Sequence, residues 1–446
     1  MTLTRAVEEF TEWERRTLPG VILGSEDQQL AAELSAQRRL FIEERREGLH
    51  IQARSWVGVV HLRDLELRVV PKAAGGNQGL VGMIELASGL EALERVPRER
   101  LIEAEGLNLL DLIALLLVEE VEAVVRLGLL RDYVERDDLL PVVRGRLLLD
   151  RQVLERFGQV DRLYCRLDEH EHDITENQLL GLALSRAGIV VRDPEVKRRA
   201  RRMSSLFREI CDPDALDLEV AKDLSYDRMN AYYRGSHELA LLILGGLGIE
   251  DVLATGSINS FAFLLNMNLL FERFVWVLFS TVLRGTQVDV AYQKRNRLTI
   301  WDPDAGQSYQ TVIPDLLLDQ RRGEVHTRLP VDAKYKFYDE HSISPGDVYQ
   351  AFLYSYAFSP EGTQPRAVIA YPASGESRSW RLVVRRSHGV HAAEISLLGI
   401  PIVAALEELK SGVAGPATEA VRRLSLTALS MPAAVSISEE TGIPVR

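Results

Sequence analysis

The chain has 446 residues, of which 46% are hydrophobic and 26% charged. That balance belongs to a globular protein with real cores and excludes a disordered or fibrous one. Its length suggests about two to four domains. Only Cys165 and Cys211 are present, too few for a disulfide framework or a cysteine zinc site. The charged opening "MTLTRAVEEFTEWERR" lacks the apolar core of a signal peptide, and no apolar run is long and uninterrupted enough to cross a bilayer. A cytoplasmic protein without membrane contact is expected.

Net charge is −12, yet it is unevenly spread. From residue 259 onward there are 19 basic and 19 acidic residues, whereas the first 258 hold 34 and 46. An acidic N-terminal half repels phosphate, and a neutral C-terminal half with local basic clusters need not. The two halves are therefore expected to meet different partners.

In chain order, residues 1–45 read as helical or mixed. Residues 49–71 alternate and are rich in β-branched side chains, which predicts two or three strands. "AAGGNQG" (73–79) reads as a glycine-rich loop before a helix. Residues 106–130, 150–160, 174–191 and 215–255 carry helical spacing. "RDPEVKRRARRM" (192–203) is a basic run, read chiefly as a solvated helix face. A small polar segment near 255–260 marks the main boundary. Beyond it, "FAFLLNMNLLFERFVWVLFSTVL" (261–283) predicts a helix. Strands follow at about 287–293, 308–319 and 328–337, then a helix at 345–358 and a strand at 365–372. The expected fold class is α/β: an α+β N-terminal region with β-hairpins (1–105), a helical middle (106–257), a mixed sheet flanked by helices (258–390), and an extension of unknown role (391–446).

The chemistry concentrates in "IPDLLLDQRRGEVHTRLPVDAKYKFY" (313–338), two apolar runs joined by a polar turn. Residues two apart on a strand share a face, so Asp332 and Lys334 point one way and Val331, Ala333 and Tyr335 the other. Closing the hairpin brings Asp315 beside Asp332, with the lysine close by. Two buried carboxylates repel, and one stays protonated unless a cation intervenes. Magnesium suits such oxygen ligands, and the lysine can hold a phosphate oxygen or orient the attacking water, which together amount to metal-assisted phosphodiester hydrolysis. Glu272 lies on a mostly apolar helix face, where a shared metal would offset its burial. The helix "SPGDVYQAFLYSYAF" (344–358) starts on Ser344, Pro345 and Asp347. Gln350 and Tyr354, four apart on one of its faces, are candidates for DNA contact or for supporting the lysine.

Glu272, Asp315, Asp332-Ala333-Lys334 and Gln350-x-x-x-Tyr354 stand in an order that resembles the PD-(D/E)XK nuclease superfamily. Over about 50–375 the chain also resembles the McrC family. The shared features are the strand ending in Pro71-Lys72, Gly128-Leu129 with Tyr133, Arg144-Gly145-Arg146, and the helix opening near Asn177. The resemblance implies the endonuclease subunit of a McrBC-type modification-dependent restriction system. It carries Asp315, Asp332 and Lys334 over as catalytic residues and Glu272, Asp315 and Asp332 as magnesium ligands. It further implies a McrB-like AAA+ GTPase ring as partner, docked by the N-terminal half, and double-stranded DNA as the substrate of the C-terminal half. For the ring contact itself, the hairpins within 49–71 are the first guess. A RecB-like nuclease of another NTPase-coupled assembly, or a non-catalytic scaffold subunit, is the alternative.

No G-x-x-x-x-G-K-[ST] occurs, so the chain is not expected to bind nucleotide itself. His170 and His172 in "DEHEHD" read as a turn rather than a metal site. Ser236 and His237 are adjacent and cannot face each other on a helix. "RSWRLVVRRSH" (378–388) is a candidate DNA-contacting strand.

Overall fold

The computed structural model describes residues 6–72, 76–88, 109–247, 260–322, 325–339, 342–360, 363–387 and 389–430. The N-terminal region is mixed, not chiefly helical: β1 (Ala6–Thr11), β2 (Arg15–Leu18), α1 (Ser25–Ala36), β3 (Phe41–Arg45) and β4 (Gly48–Gln52) precede β5 (Trp56–His61) and β6 (Leu65–Val70). β2, β4 and β3 form a small antiparallel sheet. α2 (Gly76–Ser88) then begins inside the stretch expected to be a glycine-rich loop.

The middle region holds α3 (Leu109–Leu127), α5 (Thr175–Val190), α6 (Pro194–Ile210), the short α7 (Leu218–Lys222) and α8 (Arg234–Leu247). It is not all helical. β7 (Asp132–Leu140), β8 (Arg146–Leu147) and β9 (Leu163–Glu171) build a three-stranded sheet ordered β7-β9-β8, with α4 (Leu149–Arg156) between β8 and β9. The base of this sheet is pinned by Asn177, whose amide donates to the Leu130 and His172 carbonyls and accepts from the Tyr233 hydroxyl at 2.8 Å.

The stretch 261–283, expected as one helix, is β10 (Phe261–Asn266) followed by α9 (Met267–Val282). The physical reason is that β10 is buried on both faces, so it shows no alternation and its apolar run passes for helix. Asn266 marks the switch, its side chain accepting from the Asn268 N–H at 3.0 Å as helix cap. β10 does not join the C-terminal sheet. It pairs antiparallel with β5, Phe261 opposite His61 and Asn266 opposite Trp56, completing the sheet β1-β6-β5-β10. The two halves of the chain thus share a sheet.

The C-terminal sheet is β11 (Val288–Tyr292), β14 (Leu316–Arg322), β15 (Val325–Ala333), β16 (Arg366–Pro372), β18 (His391–Ile400) and β17 (Arg378–Arg385), in that order. The strand expected at 308–319 is split: β13 (Gln307–Val312) pairs with β12 (Asn296–Asp302) in a separate hairpin, and β14 starts a few residues later. α10 (Pro345–Phe358) covers one face of the sheet; α9 and α12 (Pro416–Ser430) lie over the other. The boundary expected at 390 falls just before β18, an interior strand parallel to β16, so residues 391–400 belong to this sheet. α11 (Ile402–Ser411) returns to the N-terminal region, where Lys410 pairs with Glu85 at 2.6 Å. The remainder of the expected extension, 431–446, lies outside the described residues. No helix among the described residues is long and apolar enough to cross a membrane.

Gly58 shows how closely β5 and β10 approach. Its φ is +142°, and an added Cβ would lie 2.0 Å from the Phe263 carbonyl oxygen. Gly58→Ala should therefore destabilise the protein by about 1–3 kcal/mol, measured as a lowered denaturant midpoint, whereas Gly285→Ala, with open space around it, should cost less.

Candidate active site

Leu316 of β14 pairs with Val331 of β15. Asp315 is thus the next residue opposite Asp332, and directly opposed side chains of an antiparallel pair project from one face. The two carboxylates meet as the hairpin predicts. Asp315 Oδ2 accepts from the Ala333 N–H at 2.6 Å, and its carbonyl accepts from the Gln293 N–H at 2.8 Å. Lys334 Nζ stands 2.9 Å from Asp332 Oδ2. Its own N–H donates to the Ala370 carbonyl of β16, fixing where the lysine leaves the sheet. Asp332 is 1% exposed, and apart from that ion pair its two oxygens have no aligned hydrogen bond among the described residues.

Burial, then the neighbouring charges of Asp332 and Glu272, push the Asp315 carboxyl up to about 8 against the pull of the Ala333 N–H and Lys334. Burial also raises Asp332, with Lys334 opposing. For Lys334, burial alone would favour the neutral amine, but the aspartates hold it protonated beyond its usual range. The pair therefore shares a proton in the absence of another cation. This is the donor set of a hard divalent ion: two carboxylates, at least one with unsatisfied oxygens. The residues fit magnesium.

Glu272, the third expected ligand, lies beside this pair. It is near enough to raise Asp315, but its Oε1 accepts from Gln293 Nε2 at 2.8 Å. Among the described residues no three acidic, histidine or cysteine side chains are arranged to hold a metal together. Gln293, in the bend after β11, engages one of the two Glu272 carboxylate oxygens. Gln293 has φ +47°, a costly conformation for a residue with a side chain.

Gln350 and Tyr354 do share a face of α10, and the Gln350 amide donates to the Tyr354 hydroxyl at 2.7 Å. Tyr354 is buried, with its hydroxyl raised by burial and by the fields of Asp332 and Asp315. Ser344 caps α10 by accepting from the Asp347 N–H. Asp347 does not close the capping box. It takes Lys336 at 2.7 Å and accepts from the Tyr338 and Ser344 hydroxyls, which hold its carboxyl low despite burial.

Elsewhere, His172 donates through Nδ1 to the Leu130 carbonyl and faces Arg131 through Nε2, a structural role. The basic run is split: Arg198, Arg201 and Arg202 are exposed, as on a solvated helix face, while Arg199 pairs with Glu122, and Lys197 and Arg201 donate to the Ile189 and Gly188 carbonyls. Ser236 and His237 bond to separate backbone carbonyls.

The chain is a mixed α/β protein whose C-terminal sheet carries two facing carboxylates and a paired lysine on one hairpin. The family described as "McrBC 5-methylcytosine restriction system component" matches residues 51–372, and the chain belongs to that family. Among solved structures, McrC bound to McrB AAA+ hexamers of Thermococcus gammatolerans is similar, at 18% identity and a TM-score of 0.59 over 95% of this chain and all of that one. A second structure of the Thermococcus gammatolerans McrBC complex matches at 19% identity and a TM-score of 0.43, over 63% of this chain and 89% of that one. No curated protein matches.

The raised carboxyls reverse the usual pH dependence. The folded state keeps on Asp315 a proton until about pH 8 that the unfolded chain releases near 3.8, so the site costs stability progressively as pH rises through that window. Magnesium needs the ionised form. Thermal melts should show a gain of a few degrees from millimolar magnesium at pH 8 and a smaller one at pH 6. In Asp315→Asn the gain should vanish, and the metal-free protein should melt above the parent at pH 8. A pH-independent gain shared by both proteins would refute the assignment.

Proposed function

We propose that the chain is the magnesium-dependent DNA endonuclease subunit of a McrBC-type restriction complex acting in the cytoplasm. In this reading it cuts phosphodiester bonds when engaged by a McrB-like AAA+ GTPase ring whose hydrolysis it stimulates. The observation that carries the proposal is the in-register meeting of Asp315 and Asp332 with Lys334 paired to Asp332. Asp315 and Asp332 would hold the metal, which when bound neutralises the scissile phosphate and helps ionise a water. Lys334 is held by Asp332 so that its ammonium can grip a phosphate oxygen or orient the attacking water. Glu272 acts through Gln293 rather than as a direct ligand. Tyr354 and Gln350 support the carboxylates from α10.

The partner reading needs a surface, and in the hairpins of 49–71 only short stretches such as the turn at Arg63 and Asp64 are exposed. Val57, Val59, Val60 and Leu67 of β5 and β6 are fully buried. The sheet β7-β9-β8 with α4 fits better: Leu154 is 85% exposed, Phe157 83% and Val160 81%. Apolar side chains this exposed and this close together mark an interaction surface. It lies in the acidic N-terminal half, which suits a protein rather than DNA.

Two experiments test these assignments. With the AAA+ ring, GTP, magnesium and DNA bearing 5-methylcytosine, the parent should cut, and Lys334→Ala should lower the rate by about 10²-fold or more while ring binding and GTPase stimulation persist. Cutting without any ring would favour the RecB-like alternative, and no cutting by the parent would favour the scaffold. Separately, the double variant Leu154→Asp/Phe157→Asp should weaken ring binding at least about tenfold in titration with labelled ring, with the melting temperature unchanged.

A further inference from the structure

Tyr335 follows Lys334 and is 1% exposed. The Lys336 N–H donates to the Lys334 carbonyl at 2.8 Å, closing a three-residue turn with Tyr335 at its centre. The orientation of Tyr335 and the exit direction of Lys334 are therefore fixed together. Around this turn most anchors come from the C-terminal region: β16 takes the Lys334 N–H, Asp347 takes Lys336 and Tyr338, and Asp339 accepts from the Tyr371 hydroxyl at 3.0 Å.

One anchor comes from far away. The Tyr335 hydroxyl donates to Glu12 Oε2 at 2.8 Å, across 323 residues. Glu12 sits in the turn after β1 and is 2% exposed. The same oxygen accepts from the Lys72 N–H at 2.9 Å, at the end of β6. Its other oxygen, Oε1, is buried with no hydrogen-bonding partner among the described residues. Lys72 Nζ lies 4.9 Å from the Phe337 ring, binding the same junction from the other side. Beside Glu12, Trp13 has φ +68° and is 44% exposed. A bulky residue in the left-handed region signals a turn over-determined by its surroundings. A buried carboxyl with an unused oxygen is costly for a fold that needs only a core contact there.

We propose that Glu12 is a positioning residue for the nuclease: through the Tyr335 hydroxyl it sets Lys334, so the N-terminal region holds the catalytic lysine in register. This inference rests on the nuclease reading above. It also supplies a physical route by which docking at the N-terminal half reaches the cutting site without touching DNA.

The test uses the full chain with the AAA+ ring, GTP, magnesium and DNA bearing 5-methylcytosine, and compares single-turnover rate, KM for DNA, ring binding and GTPase stimulation. Tyr335→Phe removes only the hydroxyl, and Glu12→Ala removes the acceptor; each should lower kcat by about 10- to 100-fold. KM, ring binding and GTPase should stay within about twofold, because neither residue meets DNA or the ring in this proposal. The double variant should be no worse than the poorer single one. Glu12→Gln keeps an acceptor oxygen and should restore cutting to near the parent rate, whereas Glu12→Met fills the same space without one and should stay slow, a split that a merely space-filling role would not give. If Tyr335→Phe fails to fold, the contrast between Glu12→Gln and Glu12→Met decides. Parent-like cutting by both Tyr335→Phe and Glu12→Ala, with Lys334→Ala inactive, overturns the link and leaves the nuclease reading standing. Parent-like cutting by Lys334→Ala overturns both.

Discussion

The structure turns on one unfavourable contact. Two aspartates are held opposite each other in a sheet interior, where like charges repel and hydration is lost. The Ala333 N–H and Lys334 offset only part of that cost. The arrangement persists because β14 and β15 are locked in register by apolar neighbours such as Leu316, Leu318, Leu329 and Val331, all buried. A one-residue slip would turn every one of them to the wrong face. The hydrophobic register is strong enough to impose an electrostatic arrangement that the carboxylates themselves oppose. A site with that stored repulsion is poised for a cation and ill-suited to a neutral ligand.

The same principle explains why the two halves of the chain are not separable beads. β10 belongs by sequence to the C-terminal half and by hydrogen bonding to the N-terminal sheet. From its end, α9 runs directly under the C-terminal sheet, so any tilt of the N-terminal sheet is carried into the helix bearing Glu272. Lys410 and Glu85 tie the far end back, and Glu12 with Tyr335 ties the centre. Continuous elements that cross between regions transmit displacement more rigidly than a linker does.

Much of this was legible in the sequence, for identifiable reasons. Asp315, Asp332 and Lys334 could be read because period-two alternation fixes which side chains share a face, and a short turn fixes which strands pair. The α10 start could be read because a Ser-Pro-x-Asp cap is a local signal. Phe261–Asn266 misled because a strand buried on both faces has no alternation to show. Glu272 is legible as a carboxylate on a mostly apolar helix face near Asp315, but its hydrogen-bond partner is not. Its partner Gln293 lies 21 residues on in a turn, and nothing in a turn's composition announces where its side chain will reach. Glu12 was invisible for a stronger reason: in "EEFTEWE" it is one of several glutamates, and only the tertiary fold distinguishes the one that points inward.

Charge and exposed apolar surface are both unevenly spread between the halves. The excess acid lies before residue 259, and so does the cluster of exposed apolar side chains on α4 and its flanking loop. Around α4 the charge is mixed, with Arg144, Arg146, Arg151, Arg156 and Arg162 beside Asp150, Glu155 and Asp161, so desolvation of Phe157 and Leu154, not charge, favours a protein contact there. The carboxylate pair imposes the opposite demand. It can approach a phosphodiester only with compensating positive charge, which Lys334 supplies in part and a divalent ion would complete.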